Sequence, residues 1–94
     1  MEAERLLLIV EDDAAFARTL GRSFERRGYT VDLATSLAEM QVALQARVPG
    51  FAVVDLKLGG EASGLACVQQ LHAADEEMLI VVLTGFASIA TAVE

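Results

Sequence analysis

The sequence predicts an α/β fold in which a parallel sheet lies between layers of helices. Short apolar runs recur along the chain and stop at polar residues, which is typical of strands buried on both faces. Segments with apolar residues three or four positions apart separate these runs, as amphipathic helices do. Strands that alternate with helices at this spacing favour parallel pairing through right-handed crossovers.

Four segments are predicted to be strands. Three of them are almost entirely apolar, whereas the second alternates and places Val31 and Leu33 on one face, as a half-buried strand does. In chain order, the predicted strands are Leu6–Val10, Thr30–Ala34, Phe51–Val54 and Met78–Leu83.

Helices are predicted after each strand. In chain order, they begin near Ala14, Leu37, Gly64 and Ser88. Asp12 or Asp13 can cap the first helix, and Gly28 can supply the left-handed residue that ends it. Residues 36–39, Ser-Leu-Ala-Glu, form a capping box at the start of the second. Residues 56–63 contain a Gly-Gly pair and have no periodicity, so we expect a loop there.

Composition and charge limit the partners that the chain can have. The 94 residues include 14 acidic and 7 basic side chains, which gives a net charge of −7. The arginines lie among acidic residues, so direct binding of nucleic acid is not expected. No apolar run is long enough to span a bilayer, and no signal peptide is recognisable. Because there is one cysteine, we expect a single cytoplasmic domain without disulfides.

Carboxylates follow two of the predicted strands. Glu11 and Asp12 follow the first strand, and Asp55 follows the third. In open parallel sheets the ligand site lies at the carboxyl ends of the strands, so these groups are expected to meet. Converging carboxylates favour a divalent cation such as Mg²⁺. With the cation bound, Asp55 could act as a nucleophile toward phosphorus, and Thr84 could donate its hydroxyl to a phosphoryl oxygen.

Three motifs together resemble the receiver domain of two-component response regulators, over the whole length of the chain. They are Leu-Leu-Ile-Val-Glu-Asp-Asp at 7–13, Val-Val-Asp-Leu at 53–56 with Gly64 downstream, and Val-Val-Leu-Thr-Gly at 81–85. Residues 54–58 and 83–93 are most similar to the redox-responding global regulators of the RegA/PrrA/ActR type. The resemblance implies a flavodoxin-like, doubly wound parallel sheet.

The resemblance also implies a role for each residue that matches the family's site. Asp55 aligns with the phosphoacceptor, Asp12 with a direct Mg²⁺ ligand and Glu11 with one that acts through water. Lys57 aligns with the position whose backbone carbonyl coordinates the metal, and Thr84 with the switch hydroxyl. Such domains take their phosphoryl group from a sensor histidine kinase and catalyse their own phosphorylation. The implied function is a phosphorylation-controlled switch and not a turnover enzyme.

At its carboxyl end the chain departs from the family pattern. Residues 1–94 lack the family's fifth strand, with its lysine, and its fifth helix. The resemblance therefore implies a receiver domain that is incomplete after the fourth strand and the start of the fourth helix. Its parent would be a transcription regulator with a Fis-type DNA-binding domain. We expect the open edge of the fourth strand to promote self-association. Without the lysine, we expect Mg²⁺ to bind weakly and phosphotransfer to be slow.

Other interpretations stay open at this point. A small phosphohydrolase with an aspartyl nucleophile would need a second aspartate two residues after Asp55, where Lys57 stands. A degenerate receiver that acts only as a binding module is compatible with the missing lysine. Cys67 is predicted to be a core residue, with redox sensing as the alternative. The first helix carries a basic stripe that is either solvated or a kinase-docking face: Arg18, Arg22, Arg26 and Arg27.

Overall fold

The computed structural model describes residues 5–57, 64–83 and 89–92 of the chain. Strands and helices alternate as the sequence predicts up to the fourth strand. In chain order, the elements are β1 (Leu6–Val10), α1 (Ala14–Glu25), β2 (Thr30–Ala34), α2 (Leu37–Ala46), β3 (Phe51–Asp55), α3 (Gly64–Ala74), β4 (Leu79–Leu83) and β5 (Ile89–Ala92). None of these helices is long and apolar enough to cross a membrane.

The first four strands form a parallel sheet in the order β2-β1-β3-β4. Val10 at the end of β1 pairs with Val54 of β3, and Asp55 pairs with Leu83 of β4. These registers bring the carboxyl ends of β1, β3 and β4 to one edge of the sheet. The predicted parallel sheet is therefore confirmed, and the edge where a ligand site is expected is assembled from its central strands.

One predicted element differs in the structure. Residues 89–92 form β5, which pairs antiparallel with β4, whereas the sequence predicts the start of a fourth helix there. Antiparallel strands need only a short connection, and β4 and β5 are close together in the chain. Pairing also covers the backbone amides and carbonyls along the outer edge of β4, from Ile80 to Leu83. The open β4 edge that the sequence predicts is thus occupied by the chain's own β5.

Two apolar layers, one on each face of the sheet, form the core. Every residue of β1 is buried, because successive side chains point to opposite layers. Leu8 and Val10 lie in the layer covered by α2 and α3, which also holds Met40, Cys67 and Leu71. The other layer packs against α1 and contains Leu7, Ile9, Ala17 and Val53. Cys67 is completely buried, which agrees with its prediction as a small core residue.

Side chains cap the first two helices as the sequence predicts. The Asp13 carboxylate accepts the N–H of Phe16 at 3.1 Å, which makes Asp13 the cap of α1. The Ser36 hydroxyl accepts the N–H of Glu39 at 3.1 Å at the start of α2. The Glu39 carboxylate accepts a hydrogen bond from the N–H of Thr35 at 2.7 Å, one residue earlier than in a standard capping box. These contacts stabilise both helices at the ends that face the carboxyl edge of the sheet.

Candidate functional site

The structure brings together the three carboxylates that the sequence places at strand ends. Glu11 and Asp12 follow β1, and Asp55 is the last residue of β3. Because β1 and β3 are parallel neighbours, these side chains meet at one edge. One carboxylate oxygen of each residue lies within 4.8 Å of the others. Glu11 is buried, Asp55 is half-buried and Asp12 is exposed, so the cluster has one closed and one open side.

Burial and neighbouring carboxylates determine the charge of Glu11. Burial, the negative charge of Asp55 and hydrogen bonds with Asp12 and Asp55 together raise the pKa of Glu11 to about 7. The N–H of Asp13 donates to Glu11 Oε2 at 3.0 Å and acts in the opposite direction. Near neutral pH, Glu11 is therefore divided between its protonated and charged forms. A bound cation would favour the charged form.

Hydrogen bonds on both sides hold the backbone that carries Asp55. The N–H of Lys57 donates to Asp55 Oδ1 at 3.0 Å, which forms a tight turn after β3. The N–H of Leu56 donates to the Leu83 carbonyl at 2.9 Å and extends the pairing with β4. The Leu56 carbonyl accepts the N–H of Gly64 at 3.1 Å, which joins the turn to the start of α3. Asp55 is thereby held at the end of a rigid strand.

The donor set suits a hard divalent cation. Three carboxylates at this separation repel one another when all are charged, and oxygen ligands of this kind are those that Mg²⁺ and Ca²⁺ prefer. Asp13 caps α1 and is not one of the three clustered residues. Thr84 lies outside the described residues. Leu83, which precedes it, pairs with Asp55.

Comparison with known proteins identifies the family. Residues 7–94 match the model of the response regulator receiver domain. This chain belongs to that family.

Both the sequence and the fold of this receiver domain have close relatives. It is 45% identical over 91 residues to the photosynthetic apparatus regulatory protein RegA of Cereibacter sphaeroides, covering 97% of this chain and 49% of RegA. It is 43% identical over 90 residues to the acid tolerance regulatory protein ActR of Sinorhizobium medicae, covering 96% of this chain and 46% of ActR. The receiver domain therefore spans about half the length of the regulators it matches.

A solved structure supports the same fold. A response regulator from Burkholderia pseudomallei, crystallised with a phosphorylated aspartic acid, a calcium ion and citrate, superposes with a TM-score of 0.82 at 39% identity. The match covers 90% of this chain and 49% of that one. Receiver domains are signalling switches that receive phosphate from sensor histidine kinases and generally bind Mg²⁺. This chain is accordingly a receiver domain of a two-component response regulator.

The contact between α3 and the turn after β3 is the part of the site that the sequence does not reveal. Gly64 belongs to the family pattern, but its position in the sequence relative to Asp55 does not indicate what the glycine does. In the structure, Gly64 lies against the backbone of Asp55 and Leu56. A glycine at the first position of a predicted helix is the one sequence signal that could have suggested this contact.

Proposed function

We propose that this receiver domain switches its signalling state when Asp55 accepts a phosphoryl group from the phosphohistidine of a sensor kinase. In the proposed site, Glu11, Asp12 and Asp55 hold Mg²⁺ together with the backbone carbonyl of Lys57. One observation carries the proposal: three carboxylates from the ends of β1 and β3 have oxygens within 4.8 Å of one another.

The chemistry assigned to Asp55 follows from its position. Asp55 is half-buried at the end of β3, so an approaching phosphoryl group can reach it, whereas Glu11 is buried. An Asp55 carboxylate oxygen forms a P–O bond while the P–N bond to the kinase histidine breaks, and the imidazole leaves with that electron pair. When bound, Mg²⁺ neutralises charge between the carboxylates and the phosphoryl oxygens. The N–H of Lys57 keeps the acceptor carboxylate oriented.

We assign the switch to Thr84, whose hydroxyl would donate a hydrogen bond to the phosphoryl oxygen on Asp55. Support comes from its place in the chain, directly after Leu83, which pairs with Asp55. The exposed arginines of α1 support a contact with the kinase, because a basic stripe on an otherwise acidic domain can fix the orientation in which a partner protein binds.

The larger protein is proposed to be a cytoplasmic regulator of transcription, with residues 1–94 as its receiver portion and a Fis-type helix-turn-helix as its DNA-binding part. The proposal is supported by the match to about half of RegA and of ActR, which are both regulatory proteins. Self-association also stays a prediction. Because β5 covers the edge of β4, pairing of copies along β4 requires release or exchange of β5. Light scattering at increasing concentration tests it, and a monomer throughout would contradict it.

Intact-mass measurement after incubation with acetyl phosphate tests the acceptor. The wild-type chain, Asp55→Asn and Asp32→Asn are each measured with and without Mg²⁺. Asp32 is the matched control, because it is an aspartate on β2 that pairs with Arg47 and is not in the cluster. We expect one phosphoryl group on the wild type and on Asp32→Asn only when Mg²⁺ is present, and none on Asp55→Asn.

Two results would change the assignment. An equal mass gain in Asp55→Asn would show that another residue is the acceptor. If the wild type binds Mg²⁺ in calorimetry but gains no phosphoryl group, the chain acts as a binding module and not as a phosphorylated switch.

A further inference from the structure

We infer, resting on the function proposed above, that Gly64 is a positioning residue for the metal and phosphoryl site. Gly64 is buried at the first position of α3. The Asp55–Leu56 backbone packs so closely against its α-carbon that a side chain there has no room. A Cβ atom at Gly64 would lie 2.3 Å from the Asp55 carbonyl oxygen and 2.5 Å from the Leu56 Cα.

Residue 64 is a glycine because there is no space for a side chain, and not because the backbone conformation requires a glycine. Gly28 is the one glycine with positive φ among those that the structure describes, so the φ of Gly64 is open to other residues. All three atoms that lie within 3 Å of such a Cβ belong to the backbone and cannot rotate away, as the end of a side chain could. The segment from Asp55 to Lys57 would therefore have to move if Gly64 became larger.

Movement of this segment would act directly on the carboxylate cluster. Asp55 supplies one of the three clustered carboxylates. Its Oδ1 is held by the N–H of Lys57, and the Leu56 carbonyl is held by the N–H of Gly64. To reach an ordinary contact distance from a Cβ atom, the backbone must retreat by roughly 1 Å. Mutations of groups that orient metal ligands commonly weaken metal binding by about 10–100-fold.

Three variants separate positioning from general stability. Gly64→Ala introduces the clash. Gly50→Ala is the matched control, because nothing lies within 4 Å of a Cβ built at Gly50. Leu71→Ala removes a completely buried side chain of the same helix and lowers stability without adding atoms next to Asp55. If Gly64 were merely structural, Gly64→Ala and Leu71→Ala would bind the metal alike once folded.

Mg²⁺ affinity and one amide resonance are measured for each variant. Isothermal titration with MgCl₂ at 5 °C gives the dissociation constant, and the ¹⁵N–¹H shift of the Lys57 amide reports its hydrogen bond to Asp55. We expect Gly64→Ala to bind Mg²⁺ at least about tenfold more weakly, with a displaced Lys57 amide resonance. Gly50→Ala and Leu71→Ala should remain within about twofold of the wild type, with that resonance unmoved.

The results that would contradict the role of Gly64 can be distinguished from those that would contradict the proposed function. A folded Gly64→Ala variant that binds Mg²⁺ within twofold of the wild type overturns the role of Gly64 and leaves the proposed function intact. If the wild type itself binds no Mg²⁺, the proposed function fails. The Lys57 resonance then decides the role of Gly64, and an unmoved resonance in Gly64→Ala rejects it. A Gly64→Ala variant that stays unfolded even in trimethylamine N-oxide also rejects it, because the inferred disturbance is local.

Discussion

Replacing Glu11 by glutamine should make the metal-free domain more stable at alkaline pH and have a smaller effect at acid pH. Burial, with the nearby charge of Asp55, raises the pKa of Glu11 to about 7 from 4.5. Between these two values the folded state binds more protons than the unfolded state. The free energy of unfolding of the wild type therefore falls as pH rises through this window. Glutamine keeps an oxygen for the N–H of Asp13 and does not titrate.

The size of the effect follows from the two pKa values. Each pKa unit corresponds to about 1.4 kcal/mol, so the raised pKa of Glu11 amounts to about 3 kcal/mol once both states are ionised. Roughly 1 kcal/mol of this destabilisation is already present at pH 5, which leaves about 2 kcal/mol to develop between pH 5 and pH 8. Glu11→Gln should gain that amount relative to the wild type over this range.

Urea unfolding followed by far-ultraviolet circular dichroism, in buffers free of divalent cations, measures the difference. Glu39→Gln is the control, because hydrogen bonds from Thr35 lower the pKa of Glu39. Glu39 is largely ionised above pH 5 in both the folded and the unfolded state. The free energy of unfolding of Glu39→Gln should therefore change with pH in the same way as that of the wild type. The reasoning is refuted if Glu11→Gln and the wild type have parallel profiles from pH 5 to pH 8. In the wild type, added Mg²⁺ should remove much of the loss at pH 8, because it binds the ionised carboxylate.

Three further predictions concern the core and the helix ends. Met40→Ala should lower the free energy of unfolding by about 2–5 kcal/mol, because Met40 is completely buried. Val42→Ala on the same helix should change it by no more than about 0.5 kcal/mol, because Val42 is 68% exposed. Equal losses for the two variants in urea titrations would contradict this packing. Gly28→Ala should lower the free energy of unfolding by about 1 kcal/mol, because Gly28 has a φ of 93°. If Gly28→Ala were as stable to heat as Gly50→Ala, that result would argue against this conformation. Burial raises the pKa of the Cys67 thiol, so iodoacetamide should react with it only when the domain opens; rapid alkylation of the folded protein would show that the thiol is accessible.

The sequence alone was sufficient to predict the parallel sheet and the three carboxylates that the structure brings together. A run such as Leu6–Val10, apolar at every position, can be buried on both faces only as a central strand, and the structure buries all of it. Glu11, Asp12 and Asp55 could be placed together because parallel strands end at the same edge of a sheet. Both inferences depend on local pattern and on topology, which the order of residues contains.

Tertiary structure decided the features that depend on a neighbour distant in sequence. Residues 89–92 have a sequence compatible with a helix, and their pairing as β5 depends on the backbone groups that β4 presents. The raised pKa of Glu11 requires burial and the approach of Asp55, 44 positions along the chain. Gly64 acquires its role from an atomic contact with the Asp55–Leu56 backbone. Hydrophobic periodicity specifies which side chains are buried, but distances of a few ångströms between groups arise only when the elements pack.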